Sequence, residues 1–233
     1  MEVLLAGAGL SAPPPVTDLV ESDLLDQLPA DLPPLLEVLP QADVYLQDEV
    51  QFAFHPTLTR VWCRKGRRGQ RQVVAPGVNA KIYGFGIVDW VNGWFDGRLA
   101  PGRTAAAFCE QVRAAVARSQ ARGRVAIVIA DNLRTHTEAG SRLVRQMLAE
   151  LKGKLYLVYT PAYDPDANRI EWLWRISRKA VTHNHQRETW LEVQADIVQH
   201  FTLLGQQPDE VLRHLGSAFA EERPRPLKVA SAA

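Results

Sequence analysis

Between residues 43 and 99, apolar and polar positions alternate with a period near two, which predicts antiparallel strands. Val44 to Phe54 is the first, a second is placed near Arg60 to Arg64, and a third at Val73 to Val74. Lys81 to Trp90 and Trp94 to Leu99 then flank Val91-Asn92-Gly93, and Asn-Gly is the strongest short hairpin signal. A helix is predicted over Thr104 to Ala121, with Thr104 as its N-cap. The continuous apolar run Arg124 to Ala130 suits a strand covered on both faces. A helix from Thr137 to Leu151 and a strand from Leu155 to Tyr159 follow. Pro161 and Pro165 interrupt regular structure, and at Asn168 the pattern turns helical, with Ile170, Leu173, Trp174 and Val181 along one face. Trp190 to Leu204 and Pro208 to Phe219 read as further helices. Three meandering strands followed by alternating helix and strand make an α/β chain with a mixed sheet flanked by helices.

The ends read differently. Residues 1–40 hold seven prolines between short apolar pieces and read as a linker; 221–233 reads as a loose tail, leaving one domain over 41–220. At 46% hydrophobic and 23% charged, the composition is that of a globular protein. A net charge of +1 excludes a generally polybasic coat for nucleic acid, so any such binding must come from a local patch. Cys63 and Cys109 form no CxxC pair and indicate neither a zinc site nor a disulfide framework, which fits a cytoplasmic setting. Neither a membrane span nor a signal peptide is expected, since Val3 to Leu10 lacks a basic flank.

Three acids stand where a rigid element begins or ends. Asp48 closes the alternation Val44, Leu46, Asp48; Asp131 ends the run to Ala130; Glu171 lies in the first turn of the helix from Asn168. Sites in open α/β sheets gather at the carboxyl ends of strands, and carboxylates there suit hard divalent ions. Each acid also has a plainer role. Glu171 can complete a capping box with Asn168 or pair with Arg175, Asp131-Asn132 can close a turn, and Glu49 can replace Asp48 or be solvated.

Asp48-Glu49 after a strand, Asp131-Asn132-Leu133-Arg134-Thr135-His136, and the stretch Pro161 to Trp174 together resemble the catalytic domain of the DDE transposases. The match is to the Tc/mariner superfamily, in its bacterial insertion-sequence branch, over about residues 42 to 185. The third motif carries most of it: a turn, Asn168, then Glu171 followed by Trp172, although Arg169 stands where proline is usual. The resemblance implies a ribonuclease-H-like fold. It implies two Mg²⁺ or Mn²⁺ ions, with Asp48 bridging them, Asp131 holding one and Glu171 the other. It implies cleavage and strand transfer at insertion-sequence ends on double-stranded DNA, by a homodimer in the bacterial cytoplasm and nucleoid. The family's helix-turn-helix modules lie upstream of the catalytic domain, and the Pro-rich residues 1–40 are not expected to hold one. Two other functions stay open: a ribonuclease-H-like nuclease without transposition, and a non-catalytic DNA-binding remnant.

Asn132, His136 and Asn168 are the residues expected to orient these acids by hydrogen bonds. Arg60, Trp62, Arg64, Lys65, Arg67, Arg68 and Arg71 form a Gly-bearing basic run suited to a phosphate track, with Trp62 able to stack on a base. Arg175, Arg178 and Lys179 continue along the helix from Glu171 and are candidates for phosphates near the metals. Trp172 and Trp174 read as core, and His183-Asn184-His185 as a solvated pair of histidines.

Overall fold

A computed structural model of the chain describes residues 41–62, 65, 72–73, 75–160 and 168–216. Strands β1 (Ala42–Ala53), β2 (Lys81–Asp89) and β3 (Phe95–Ala100) are followed by helix α1 (Ala105–Gln120), strand β4 (Val125–Ala130), helix α2 (Arg142–Glu150) and strand β5 (Leu155–Tyr159). Helices α3 (Ile170–Val181), α4 (Trp190–Gln206) and α5 (Pro208–Leu215) complete the described chain. The strands form one sheet in the order β3-β2-β1-β4-β5. Pairs β1–β2 and β2–β3 are antiparallel, whereas β1–β4 and β4–β5 are parallel. This is the ribonuclease-H-like mixed sheet.

Alternation along the strands divides the core in two. Leu46, Val50, Phe52, Ile127 and Ile129 face Ile170, Trp174, Ile197 and Phe201 from α3 and α4. Tyr45, Phe85, Ile87 and Val128 face the opposite way, onto Phe108 and Val112 of α1 and Val144 and Met147 of α2. On the first face, glycines make room for aromatic rings. A Cβ at Gly86 would lie 2.1 Å from the Trp174 ring, and one at Gly97 would lie 2.7 Å from Phe201.

Most predicted elements form within a residue or two of their expected bounds, Thr104 capping α1 among them. Three expectations fail. No strand forms at residues 60–62 or 73, the described parts of the second and third predicted strands. At the first, the Asn184 side chain takes both the N–H and the C=O of Thr59, the groups a partner strand would have used. Asn184 adopts a φ of 48° to do so, and His185 beside it is buried, with Nε2 2.8 Å from the Phe54 carbonyl and its ring stacked on Phe54. His185 is therefore packed rather than solvated. The third failure is α2, which begins after Ser141 instead of at Thr137. The Ser141 hydroxyl caps Val144 N–H, and residues 134–140 fold so tightly that a Cβ on Gly140 would strike the Arg134 carbonyl. The N-terminal stretch 1–40, the tail 221–233, and Arg64 and Val74 of the predicted strands lie outside the described residues.

Candidate functional site

Strand β4 ends alongside the middle of β1, which runs on to Ala53; Asp48, expected at a strand end, lies within β1 and pairs with Gly86 of β2. Leu46 is level with Ile129 in the parallel ladder, and the same offset carries Asp48 opposite Asp131, one residue past the end of β4. Helix α3 packs over β1 and β2 at this level. Trp174, wholly buried on its inner face, donates its indole N–H to Asp48 Oδ2 at 2.9 Å. Glu171 stands three residues earlier, so it shares that face one turn nearer the helix start. Asn168 anchors this start, donating Nδ2–H to the Gln47 carbonyl at 2.8 Å and accepting Ile170 N–H on Oδ1. Asn168 thus ties α3 to the residue preceding Asp48. Glu171 itself makes no capping box, and Arg175 lies over the Trp172 ring, 5.6 Å from its centroid.

Electrostatics mark the same place. Burial pushes the Asp48 carboxyl up to about 7, with the Glu171 charge the next cause and the Trp174 N–H opposing both. Two hard carboxylates brought close enough to repel one another form a donor set that a divalent cation would relieve, so these residues fit such an ion.

Asp131 is held from the other side. Its Oδ1 lies 2.6 Å from His136 Nδ1 and accepts the Leu133 N–H at 3.2 Å. Although burial opposes it, the contact with His136 holds the Asp131 carboxyl below its ordinary range. His136 is fully buried, stacked on Phe108 with centroids 4.3 Å apart. Its Nε2 lies 2.8 Å from Glu49 Oε1, close in distance but not aligned as a straight hydrogen bond. Burial would lower the imidazole pKa; Asp131 and Glu49 together raise it to about 9. Donor atoms of Glu49, Asp131 and His136 fall within 4.8 Å of one another. The ring, however, offers one nitrogen to each carboxylate from opposite edges, which makes the trio a bridge rather than a cage for an ion. Asn132 closes the turn loosely, its Nδ2 3.5 Å from the Thr160 carbonyl.

Two members of this arrangement escaped the sequence reading. Glu49 is buried, not solvated, because alternation turns it to the α1 face opposite Asp48. Trp174 is core as expected, yet its N–H also serves Asp48, and nothing in its apolar spacing signals that. Arg103, just before α1, stacks on Tyr83 at 5.4 Å and its charge reaches Asp131. Among the basic candidates, Arg60, Trp62 and Lys65 are exposed, Trp62 entirely; Arg64, Arg67, Arg68 and Arg71 lie outside the described residues. Arg175 and Lys179 are exposed on α3 and Arg178 is half-buried. Trp172 is 44% exposed and so is not core.

The family model described as DDE superfamily endonuclease matches residues 43–193. An insertion element IS630 uncharacterized 39 kDa protein of Shigella sonnei is 29% identical over 143 residues, covering 61% of this chain and 40% of that protein. The chain therefore spans less than half the length of that relative. Among solved structures, the Mos1 strand transfer complex aligns with a TM-score of 0.55 at 16% identity, over 89% of this chain and 58% of the other. The Mos1 mariner paired end complex with Mn gives 0.50 at 16% identity, over 77% and 55%. At that identity the likeness is one of fold. No helix among the described residues is long and apolar enough to cross a membrane. With the family model covering Asp48, Asp131 and the Glu171 helix, the chain belongs to the DDE superfamily endonucleases.

Proposed function

We propose that residues 41–220 are the catalytic domain of an insertion-sequence transposase that cuts and joins double-stranded DNA. The observation that carries this reading is the level placement of Asp48 and Asp131 on adjacent strands, with Glu171 presented to Asp48 from α3. These three carboxylates would hold two divalent ions, Mg²⁺ or Mn²⁺. When bound, such a pair activates the attacking oxygen and stabilises charge on the leaving oxygen.

The chain's own residues supply position. Trp174 fixes one oxygen of Asp48, and Asn168 fixes the start of α3 against β1. His136 fixes one oxygen of Asp131 and leaves the other free. Arg175 and Lys179, exposed along the helix that carries Glu171, would meet phosphates entering the site, as would the exposed Arg60 and Lys65. The nucleophile is water for nicking and a DNA 3′-hydroxyl for joining. Processing of two ends calls for two copies of the chain, and the reading places the protein with DNA in the bacterial cytoplasm.

The test is cleavage and strand transfer on a duplex carrying the element's terminal repeat with flanking DNA, set against a scrambled duplex, with Mg²⁺, with Mn²⁺ and with EDTA. Metal-dependent, repeat-specific cutting that Asp131→Ala abolishes is expected. Cutting of both duplexes alike would reduce the protein to a general nuclease. DNA binding without metal-dependent cutting would make it a regulatory remnant.

A further inference from the structure

The buried carboxylate of Glu49 has no task in the proposed chemistry. It follows Asp48 directly but points through the sheet to the α1 side, where it is 5% exposed. Burying an acid is unfavourable unless a partner meets it. Its partners are the Gln47 amide, 3.2 Å away, and His136 Nε2, 2.8 Å away. His136 has no freedom of its own: Phe108 covers one ring face, Tyr159 donates its hydroxyl to the His136 carbonyl, and the other nitrogen meets Asp131 at 2.6 Å.

We infer that Glu49 is a positioning residue, which sets the His136 ring so that His136 in turn sets the Asp131 carboxylate for metal. The argument is geometric. Asp131 lies one residue beyond its strand, with 42% of its side chain exposed, so the ladder does not fix it. Besides the Leu133 N–H, what holds it is an imidazole whose far edge lies 2.8 Å from Glu49 on β1, the same strand that carries Asp48. Because Asp48 and Glu49 are consecutive, β1 supplies one acid directly and orients the second through the ring. The two carboxylates on adjacent strands are thereby kept in one frame. Partners that orient a ligating group typically change metal affinity by about 10–100-fold when removed.

The inference rests on Asp131 being a metal ligand, so its test begins with the unaltered chain. Mn²⁺ binding is measured by calorimetry on wild type, Glu49→Leu, Glu49→Gln, His136→Asn and the Glu49→Leu/His136→Asn double variant. Metal-free thermal unfolding and DNA affinity in EDTA are followed alongside. Glu49→Leu is expected to weaken Mn²⁺ binding by about 10–100-fold. Glu49→Gln, which keeps an acceptor oxygen at the same reach, should hold most of the affinity. In the double variant the loss should be no greater than in His136→Asn alone, because Glu49 acts only through the ring. DNA affinity in EDTA should not move. Where Glu49→Leu fails to fold, Glu49→Met, which keeps the length of the side chain, replaces it. Wild-type affinity in a folded Glu49→Leu or Glu49→Met protein overturns the inference alone, and so do additive losses in the double variant. No Mn²⁺ binding by the wild type overturns the functional reading, and the inference falls with it.

Discussion

The indole N–H of Trp174 meets the Asp48 carboxylate at 2.9 Å, so a fully buried ring of the core is also a hydrogen-bond donor to the site. Core packing on the α3 face and the charge on Asp48 are therefore not independent. In Trp174→Phe the ring shrinks and the hydrogen bond is lost. A stability loss of about 2 kcal/mol is expected from the void and the unmet acceptor, read by urea unfolding. Because the N–H opposes protonation of Asp48, its loss should also move Mn²⁺ binding to higher pH, read by titrations at several pH values.

Gly86 leaves the space that Trp174 fills, since a Cβ there would lie 2.1 Å from the indole. Gly86→Ala should overpack this layer and cost about 1–3 kcal/mol. Gly77, where an added Cβ would meet nothing within 4 Å, is the control, and Gly77→Ala should leave thermal unfolding unchanged. A Gly86→Ala protein that melts with the wild type would show that the indole sits elsewhere, and the Asp48 contact with it.

The metal-free chain should lose stability as pH rises through neutrality. Folding raises the Asp48 carboxyl from 3.8 to about 7, so its contribution is full below the lower value and gone above the upper. His136 moves the same way, from 6.5 to about 9, and its contribution fades as pH climbs through that window. Asp131 runs opposite: its lowered pKa stabilises above its ordinary range and is lost in acid. Asp48→Asn removes the first of these while keeping an oxygen for Trp174. In EDTA it should melt about 2–6 °C above wild type at pH 8, with the gap closing towards pH 4. Calorimetric scans across that range check it, and a gap that widens in acid would reverse the assignment.

Salt dependence separates DNA contacts from surface charge. Replacing Arg175 and Lys179 by Gln should flatten the log–log plot of duplex affinity against salt by about 1.8, if each neutralises one phosphate. Unchanged slopes would move the phosphate track off α3. The same substitutions should leave stability near wild type, since both side chains are exposed.

Much of this protein is written in local order. Alternation from Val44 to Asp48, the apolar run ending at Asp131 and the helical stripe from Ile170 to Val181 each declare an element from a few consecutive side chains. The resemblance carried by those motifs named the fold and the three acids. Periodicity even held the clue to Glu49, because a residue one step from Asp48 must face the other way. What alternation does not say is whether that other face is water or core, and the α1 helix that covers it is far along the chain. One expected strand failed because a distant residue took over backbone groups. Asn184 satisfies Thr59 and removes the reason for a strand there.

The sequence by itself determined the kind and order of the elements that formed and set Asp48, Asp131 and Glu171 on or beside them, because those depend on neighbours within a turn or a pleat. Only the tertiary structure decided that Trp174 serves Asp48, that Glu49 and Asp131 share one imidazole, and that Asn168 binds α3 to β1. Each of those contacts joins residues separated along the chain, and a hydrogen bond of under 3 Å depends on packing across the whole sheet, which no local period encodes.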